Sequence, residues 1–257
     1  MQFEDKVVVI TGAGSGMGRA MVEEFSRRGA YVAAIGRTAS KLEETLVGVP
    51  NKDKARAFVV DVGNEDQVAE CIASIEKQWG KVDILINNAG VLDSYAPAHE
   101  VSLEEWQSTL QTNLTGPFLM SKYCIPSMLK QKCGVILNVS SVSAHSAAGG
   151  GSAYTASKHA VEGLTRQLCF EYGPKGIRVN SICPGATATP MAIPDLKSDY
   201  DPDRENELDK IPARRWCQPI EIAKYAAFLA SEDASYIQGS SCVIDGGWLT
   251  GSRYAFD

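Results

Sequence analysis

Tyr154 and Lys158 stand four residues apart in a stretch with helical spacing, so both side chains fall on one face of a turn. A free phenol titrates near ~10, and an ammonium beside it favours the phenolate and draws that value toward neutrality. A phenol so tuned gives a proton to a carbonyl oxygen during reduction and takes one from an alcohol during oxidation. Ser140 and Ser141 end an apolar run shortly before this pair. A hydroxyl placed there can hold an oxygen on which negative charge develops.

A second chemistry lies at the other end of the chain. The run Thr11-Gly12-Ala13-Gly14-Ser15-Gly16-Met17-Gly18 follows the first apolar segment and opens an amphipathic one. Glycines there let the backbone turn tightly and approach a pyrophosphate, while the helix start offers free N–H groups to the anion. The spacing is TGxxxGxG, with Gly12, Gly16 and Gly18 as its glycines and Ser15 and Met17 inside the cradle. A ribose 2′-hydroxyl needs a carboxylate at the end of the second strand, and this chain has Ile35-Gly36-Arg37-Thr38, with Glu43 as the nearest acid. A guanidinium at position 37 binds a 2′-phosphate in two-pronged fashion, so the cofactor expected is NADP (as NADPH in reduction) rather than NAD.

Seven short apolar runs separate these groups: residues 6–11, 30–36, 55–61, 82–87, 134–140, 177–182 and 241–244. They are rich in Val and Ile and several lack polar alternation, as parallel strands covered on both faces do. Helical patterns lie between them, with Met17, Met21, Val22 and Phe25 on one face, then Val68, Cys71, Ile72, Ile75 and Trp79. A late helix opens at Pro219 and runs through Leu229. The alternation predicts an α/β fold, one doubly wound parallel sheet (a Rossmann fold) of about seven strands with helices on both faces. No linker or repeat interrupts it, so residues 1–257 are expected to form a single catalytic, dinucleotide-binding domain. Residues 190–211 are polar and carry Asp195, Asp199, Asp201, Asp203, Glu205 and Glu207. They predict a mobile substrate lid over about 190–216.

The composition excludes other classes. With 25 Lys and Arg against 31 Asp and Glu, the net charge of −6 argues against a nucleic-acid partner, which needs clustered cations. The seven cysteines form no CxxC pair, and His99, His145 and His159 stand in no metal-ligating pattern, so no metal is expected. No apolar run nears the ~18 residues of a membrane span. No signal peptide is read at Met1, and a cytoplasmic, reduced protein is expected.

From about residue 6 to 248 the chain resembles the short-chain dehydrogenase/reductase family. The resemblance rests on TGAGSGMG (11–18), Asp61-Val62, NNAG (87–90), Asn113 within TNLTG, Ser140-Ser141, Tyr154-Thr155-Ala156-Ser157-Lys158, Pro184-Gly185 with Thr187 and Thr189, and Asp245-Gly246-Gly247, in that order. It implies that Ser141, thirteen residues before Tyr154, polarises the substrate, and that Asn113 holds a relay from Lys158 to solvent. Lys158 would tune Tyr154 and bind ribose, bringing Tyr154 and Lys158 against the cofactor. Asp61 and Val62 would flank the adenine, and Asn88, Ala89 and Gly90 would run along the ribose side. Pro184, Gly185, Thr187 and Thr189 would hold the carboxamide and pyrophosphate. Gly36-Arg37 matches the NADP-preferring branch, although Ser15 stands where many such relatives carry a basic residue, and Cys217 replaces a frequent glycine.

The substrate pocket is expected from residues 91–98, 143–152 and 191–216, with Val91, Leu92, Tyr95, Met191, Ile193 and Trp216 as apolar lining. The small residues of 145–151 suggest a roomy wall. The implied reaction interconverts a ketone and a secondary alcohol in a small molecule. A 3-oxoacyl-carrier-protein reductase and an NAD-dependent sugar or polyol dehydrogenase are the alternatives, and a non-catalytic NADP sensor is the reading from another class. Family members are usually homotetramers, pairing through helices equivalent to about 103–132 and 152–173.

Overall fold

The apolar runs become strands, the five inner ones buried on both faces and the two edge ones partly exposed. In the computed structural model, which describes residues 1–147, 149–193, 209 and 211–251, seven strands form one parallel sheet: β1 (Val7–Thr11), β2 (Tyr31–Gly36), β3 (Ala55–Val59), β4 (Ile84–Asn87), β5 (Gly134–Val139), β6 (Ile177–Pro184) and β7 (Ser241–Ile244). The order is β3-β2-β1-β4-β5-β6-β7. Side chains alternate across a strand. Val8 and Ile10 enter a core beneath α1 (Gly16–Arg27) and α7 (Pro219–Ala230), together with Met21, Phe25, Ile222 and Leu229. Val7 and Val9 enter the opposite core beneath α3 (Glu65–Trp79) and α5 (Gly116–Gln131), with Ile72, Ile75, Met120 and Met128. The doubly wound sheet is therefore present, with a core on each face.

Strand order reverses between β1 and β4, and the loops leaving their C-terminal ends must diverge there, which opens the crevice where such sheets bind ligands. Three further helices among the described residues are α2 (Ala39–Val47), α4 (Leu103–Leu110) and α6 (Ser152–Tyr172). The helix expected across 103–132 is not one α-helix. A π-turn over Gln111–Thr115 joins α4 to α5, and such single-turn bulges re-aim side chains at functional sites. Most of the lid expected over 190–216 lies outside the described residues. Among the described residues no helix is long and apolar enough to cross a membrane, and no cluster of His, Cys, Asp or Glu could hold a metal ion.

Candidate active site

The glycine turn links β1 to α1 with backbone packed on backbone. Gly12 and Gly16 take φ values of +65° and +51°, where side chains other than glycine's are strained. A Cβ on Gly12 would lie 2.8 Å from Asn88 Nδ2, and one on Gly18 would strike the Gly12 carbonyl. Ser15 is the N-cap of α1, yet its side chain caps nothing and no acid stands in the first turn. The first-turn N–H groups are thus left for an anion. Thr189, beyond β6, leans over this cradle: a Cβ on Gly16 would meet its Cγ2 at 3.0 Å. Met17 is half-buried and packs against the core under α1.

Arg19 locks the turn from outside. It donates to the Gly14 carbonyl at 2.9 Å, to Thr45 Oγ1 at 3.1 Å and to Glu44 at 3.0 Å. Arg37, at the end of β2, is exposed and makes no hydrogen bond or ion pair among the described residues. Beside it Thr38 N-caps α2 without a side-chain bond, and α2 has no acid in its first turn. The Arg37 guanidinium and the first-turn N–H groups of α2 are therefore met by no carboxylate among the described residues.

Other expected cofactor residues are placed by backbone bonds. Asn88 Nδ2 donates to the Thr11 carbonyl at 2.9 Å, and the Asn88 and Ala89 N–H groups both donate to Thr11 Oγ1 at 2.9 Å. Asn88 ties the loop after β4 to the glycine turn, and its Oδ1 is buried without a partner. Asp61 Oδ1 accepts from Gly63 N at 2.9 Å, while Val62 is buried against Gly116. Gly185 N donates to the Ile244 carbonyl at 3.0 Å, and Thr187 Oγ1 donates to the Gly185 carbonyl at 3.0 Å. An orphaned buried oxygen, a cradle closed to any Cβ and an anion-ready helix start fit a dinucleotide along the β1–β4 crevice.

Next come the residues expected to carry the reaction. Tyr154 is only 8% exposed and Lys158 5%. Lys158 Nζ donates to the Val139 carbonyl at 2.9 Å and lies 5.4 Å from the Tyr154 ring centroid. Burial lowers Lys158 from 10.5 to about 8, with Cys183 and Glu162 opposing. Burial likewise pushes Tyr154 up to about 12; hydrogen bonding with Ser141 works against this, and the Tyr95 and Asp93 charges add to it. The expected lowering of the phenol by its lysine is thus reversed. Desolvation outweighs an ammonium whose proton is directed at a carbonyl instead.

The two serines separate cleanly. Ser141 Oγ reaches Tyr154 and also accepts from Ser143 N at 3.1 Å, whereas Ser140 Oγ donates to the Lys158 carbonyl at 3.3 Å. Asn113 sits in the π-turn, 1% exposed. Its Oδ1 accepts from Val91 N at 2.8 Å, and its Nδ2 donates to the Val91 carbonyl at 2.9 Å and to Ser157 Oγ at 3.1 Å. A Cβ on Gly90 would lie 3.4 Å from Asn113 Oδ1 and 3.7 Å from Lys158 Nζ, so Gly90 keeps the space between them narrow but open.

A family model described as enoyl-(acyl carrier protein) reductase matches residues 12–249. Meso-2,3-butanediol dehydrogenase of Serratia marcescens is 36% identical over 96% of each chain. The chain belongs to the short-chain dehydrogenase/reductase family. Among solved members, levodione reductase superposes with a TM-score of 0.91 at 34% identity, covering 97% of this chain and 99% of that one. A candidate NAD(P)-dependent gluconate 5-dehydrogenase from Beutenbergia cavernae, solved with NADP at low occupancy, gives 0.88 at 37% identity, covering 96% and 98%.

In this short-chain dehydrogenase/reductase the glycines of 149–151 are close-packed against their neighbours. A Cβ on Gly149 would strike Ser143 Oγ, one on Gly150 the Tyr154 ring, and one on Gly151 would lie 2.7 Å from both Asp93 carboxylate oxygens. Asp93 itself was not singled out by its sequence surroundings. Its one sequence-level sign is the bare glycine N-cap of α6, a helix with no acid in its first turn.

Proposed function

We propose that the chain is an NADP-dependent oxidoreductase interconverting a ketone and a secondary alcohol, with residues 1–257 as one catalytic domain. The observation carrying this reading is Tyr154, buried with Ser141 at its hydroxyl and Lys158 one turn further along α6, in a chain whose first helix starts in an anion cradle. The nicotinamide, when bound, supplies or takes up the hydride. The protein's part is position and protons. Ser141 holds the carbonyl oxygen, and Tyr154 donates the proton that neutralises the alkoxide. Lys158 binds the ribose and supplies positive charge beneath the phenol, and Asn113 keeps the path from Lys158 to solvent. Gly12, Ser15, Gly16, Met17 and Gly18 cradle the pyrophosphate with Thr189, and Arg37 binds the 2′-phosphate. Asp61 and Val62 flank the adenine, Asn88, Ala89 and Gly90 line the ribose, and Pro184, Gly185 and Thr187 hold the carboxamide.

The Arg37 assignment has its own test. A charge-assisted, two-pronged hydrogen bond is worth about 1.5–3 kcal/mol, so Arg37→Ala should raise the KM for NADPH roughly 10- to 100-fold, by 1.4 kcal/mol per factor of ten. The KM for NADH should move less than about twofold on the same grounds. Steady-state titration with both nucleotides checks this, and equal effects on the two would point to an NAD enzyme.

NADPH consumption over a panel of diketones, cyclic ketones, keto sugars and a 3-oxoacyl thioester tests the reaction class. Turnover of simple ketones above the thioester supports the reading. Preference for the thioester favours a carrier-protein reductase, and binding of NADPH without turnover of any carbonyl favours a sensor. We also assign a homotetramer, supported by Phe118 on α5 and Phe170 on α6, which expose large apolar surface on the helices through which such subunits pair. All seven cysteines are unpaired, which fits a reducing compartment such as the cytoplasm.

A further inference from the structure

Helix α6 starts without a cap of its own. Its N-cap is Gly151, which has no side chain to offer, and its first turn holds no acid to complement the helix dipole. The deficit is made good from 58 residues away. Asp93, on the loop after β4 and 8% exposed, accepts from Gly151 N through Oδ1 at 2.7 Å and from Tyr154 N through Oδ2 at 3.0 Å. One carboxylate thus satisfies the N-cap and third-turn-residue donors that a serine or aspartate at the N-cap would ordinarily share with its neighbours. Gly151 is what admits it, since a Cβ there would lie 2.7 Å from both carboxylate oxygens. The next residue, Ser94, is anchored in turn: its N–H donates to Glu105 Oε1 of α4 at 2.6 Å. Tyr95 then takes a left-handed φ of +59°, a conformation that favours glycine and that the anchored loop imposes on a bulky residue.

We infer that Asp93 is a positioning residue for the reaction: it fixes the backbone of Tyr154 against the loop after β4 and holds a carboxylate on that residue's own N–H, 3.0 Å away. The inference rests on Tyr154 being the acid/base. Among the described residues, the charged and titratable groups around that phenol are Lys158 from α6 itself, and Asp93 and Tyr95 from the loop after β4, with the Ser141 hydroxyl from just beyond β5. Asp93 is the anionic one among them, and its charge holds the proton on Tyr154 more firmly. This bonding makes the loop that would line the substrate pocket part of the same rigid unit as the acid.

The test compares Asp93→Asn and Asp93→Ser with the unaltered full-length protein in both reaction directions. Asp93→Asn keeps an acceptor for one N–H and removes the charge. It should lower kcat for ketone reduction roughly 10- to 100-fold, as small misplacement of a reacting group does, with the KM for NADPH changed less than about twofold. The acid limb of kcat/KM for alcohol oxidation should also move about half to one pH unit lower, since a neighbouring like charge has been removed. Asp93→Ser, short and neutral, should show the same displaced limb. An unmoved limb in both variants overturns the inference, whether or not kcat or Tm falls, because a purely structural cap would not alter the titration. Tyr154→Phe run alongside keeps the two readings apart: a fully active Tyr154→Phe removes the acid/base assignment itself, while an inactive Tyr154→Phe with Asp93 variants of unaltered pH profile removes only the role of Asp93.

Discussion

Tyr154→Phe should lose roughly 10²- to 10⁴-fold in kcat for ketone reduction, the range by which a positioned general acid accelerates such a step. The substitution removes one oxygen from a ring packed under Gly150 and leaves Lys158 on the Val139 carbonyl, so folding and NADPH affinity should change little. The direction of the pH dependence follows from burial. A phenol held at about 12 stays protonated throughout the physiological range, so reduction should be nearly independent of this group from pH 6 to about 9. Oxidation requires the deprotonated form, and its kcat/KM should climb with pH across that range, by up to tenfold per unit while the phenol is mostly protonated. Stopped-flow measurement of NADPH consumption and formation in both directions checks both slopes. A Tyr154→Phe protein as fast as its parent would remove the proposed mechanism at its centre.

The sheet was legible because its five inner strands are buried on both faces and so appear as nearly unbroken apolar runs. Where their ends differ from expectation, a single hydrogen bond accounts for it. The run at 82–87 starts pairing later than its hydropathy indicates, because Val82 N is taken by Ser127 Oγ at 2.9 Å. The run at 55–61 stops as a strand at Val59, and Asp61 N turns to Gln67 Oε1 at 2.9 Å. Both partners lie on helices, and nothing in a strand's own residues announces them.

The candidate site was legible to the extent that its chemistry is local. The Tyr154 and Lys158 pair depends only on helical periodicity, and the glycine turn only on the backbone freedom its residues need. The electrostatics of the pair are not local. They follow from what the fold stacks over α6, so spacing alone predicted a lowered phenol where burial raises it. The same holds for Asp93, which is one acid among many in the sequence and becomes part of the site only when β4 and α6 are brought together. The Ser140 and Ser141 ambiguity likewise dissolves in three dimensions, because the chain leaving β5 sends one hydroxyl to the Lys158 backbone and its neighbour to Tyr154.

Lys158→Met should separate activity from stability in opposite directions. Loss of the buried ammonium removes the positive charge beneath the phenol and should reduce kcat roughly 10²- to 10³-fold, as removal of a preorganised electrostatic stabiliser does. The same ammonium is a burden to the fold. Its drop from the ordinary 10.5 to about 8 by burial, at about 1.4 kcal/mol per factor of ten, makes the charged form cost on the order of 3 kcal/mol. Between pH 8 and 10.5 the unfolded chain holds a proton that the native protein has released, so native stability rises with pH through that window; below about 8 the cost is present in full. Methionine removes the charge and keeps most of the length, while leaving the Val139 carbonyl without this donor, a loss of about 1–3 kcal/mol. The net gain at pH 7 should therefore be about 1 kcal/mol, a rise in Tm of roughly 2–4 °C for a chain of this size. That advantage should shrink as pH is raised from 7.5 to 9.5, a window chosen to end before Tyr154, raised from 10 to about 12, begins to lower stability from the opposite side. Calorimetry of both proteins at four or five pH values within it measures the difference directly, and a Tm gap that does not narrow with pH would mean that Lys158 carries no buried charge at neutrality.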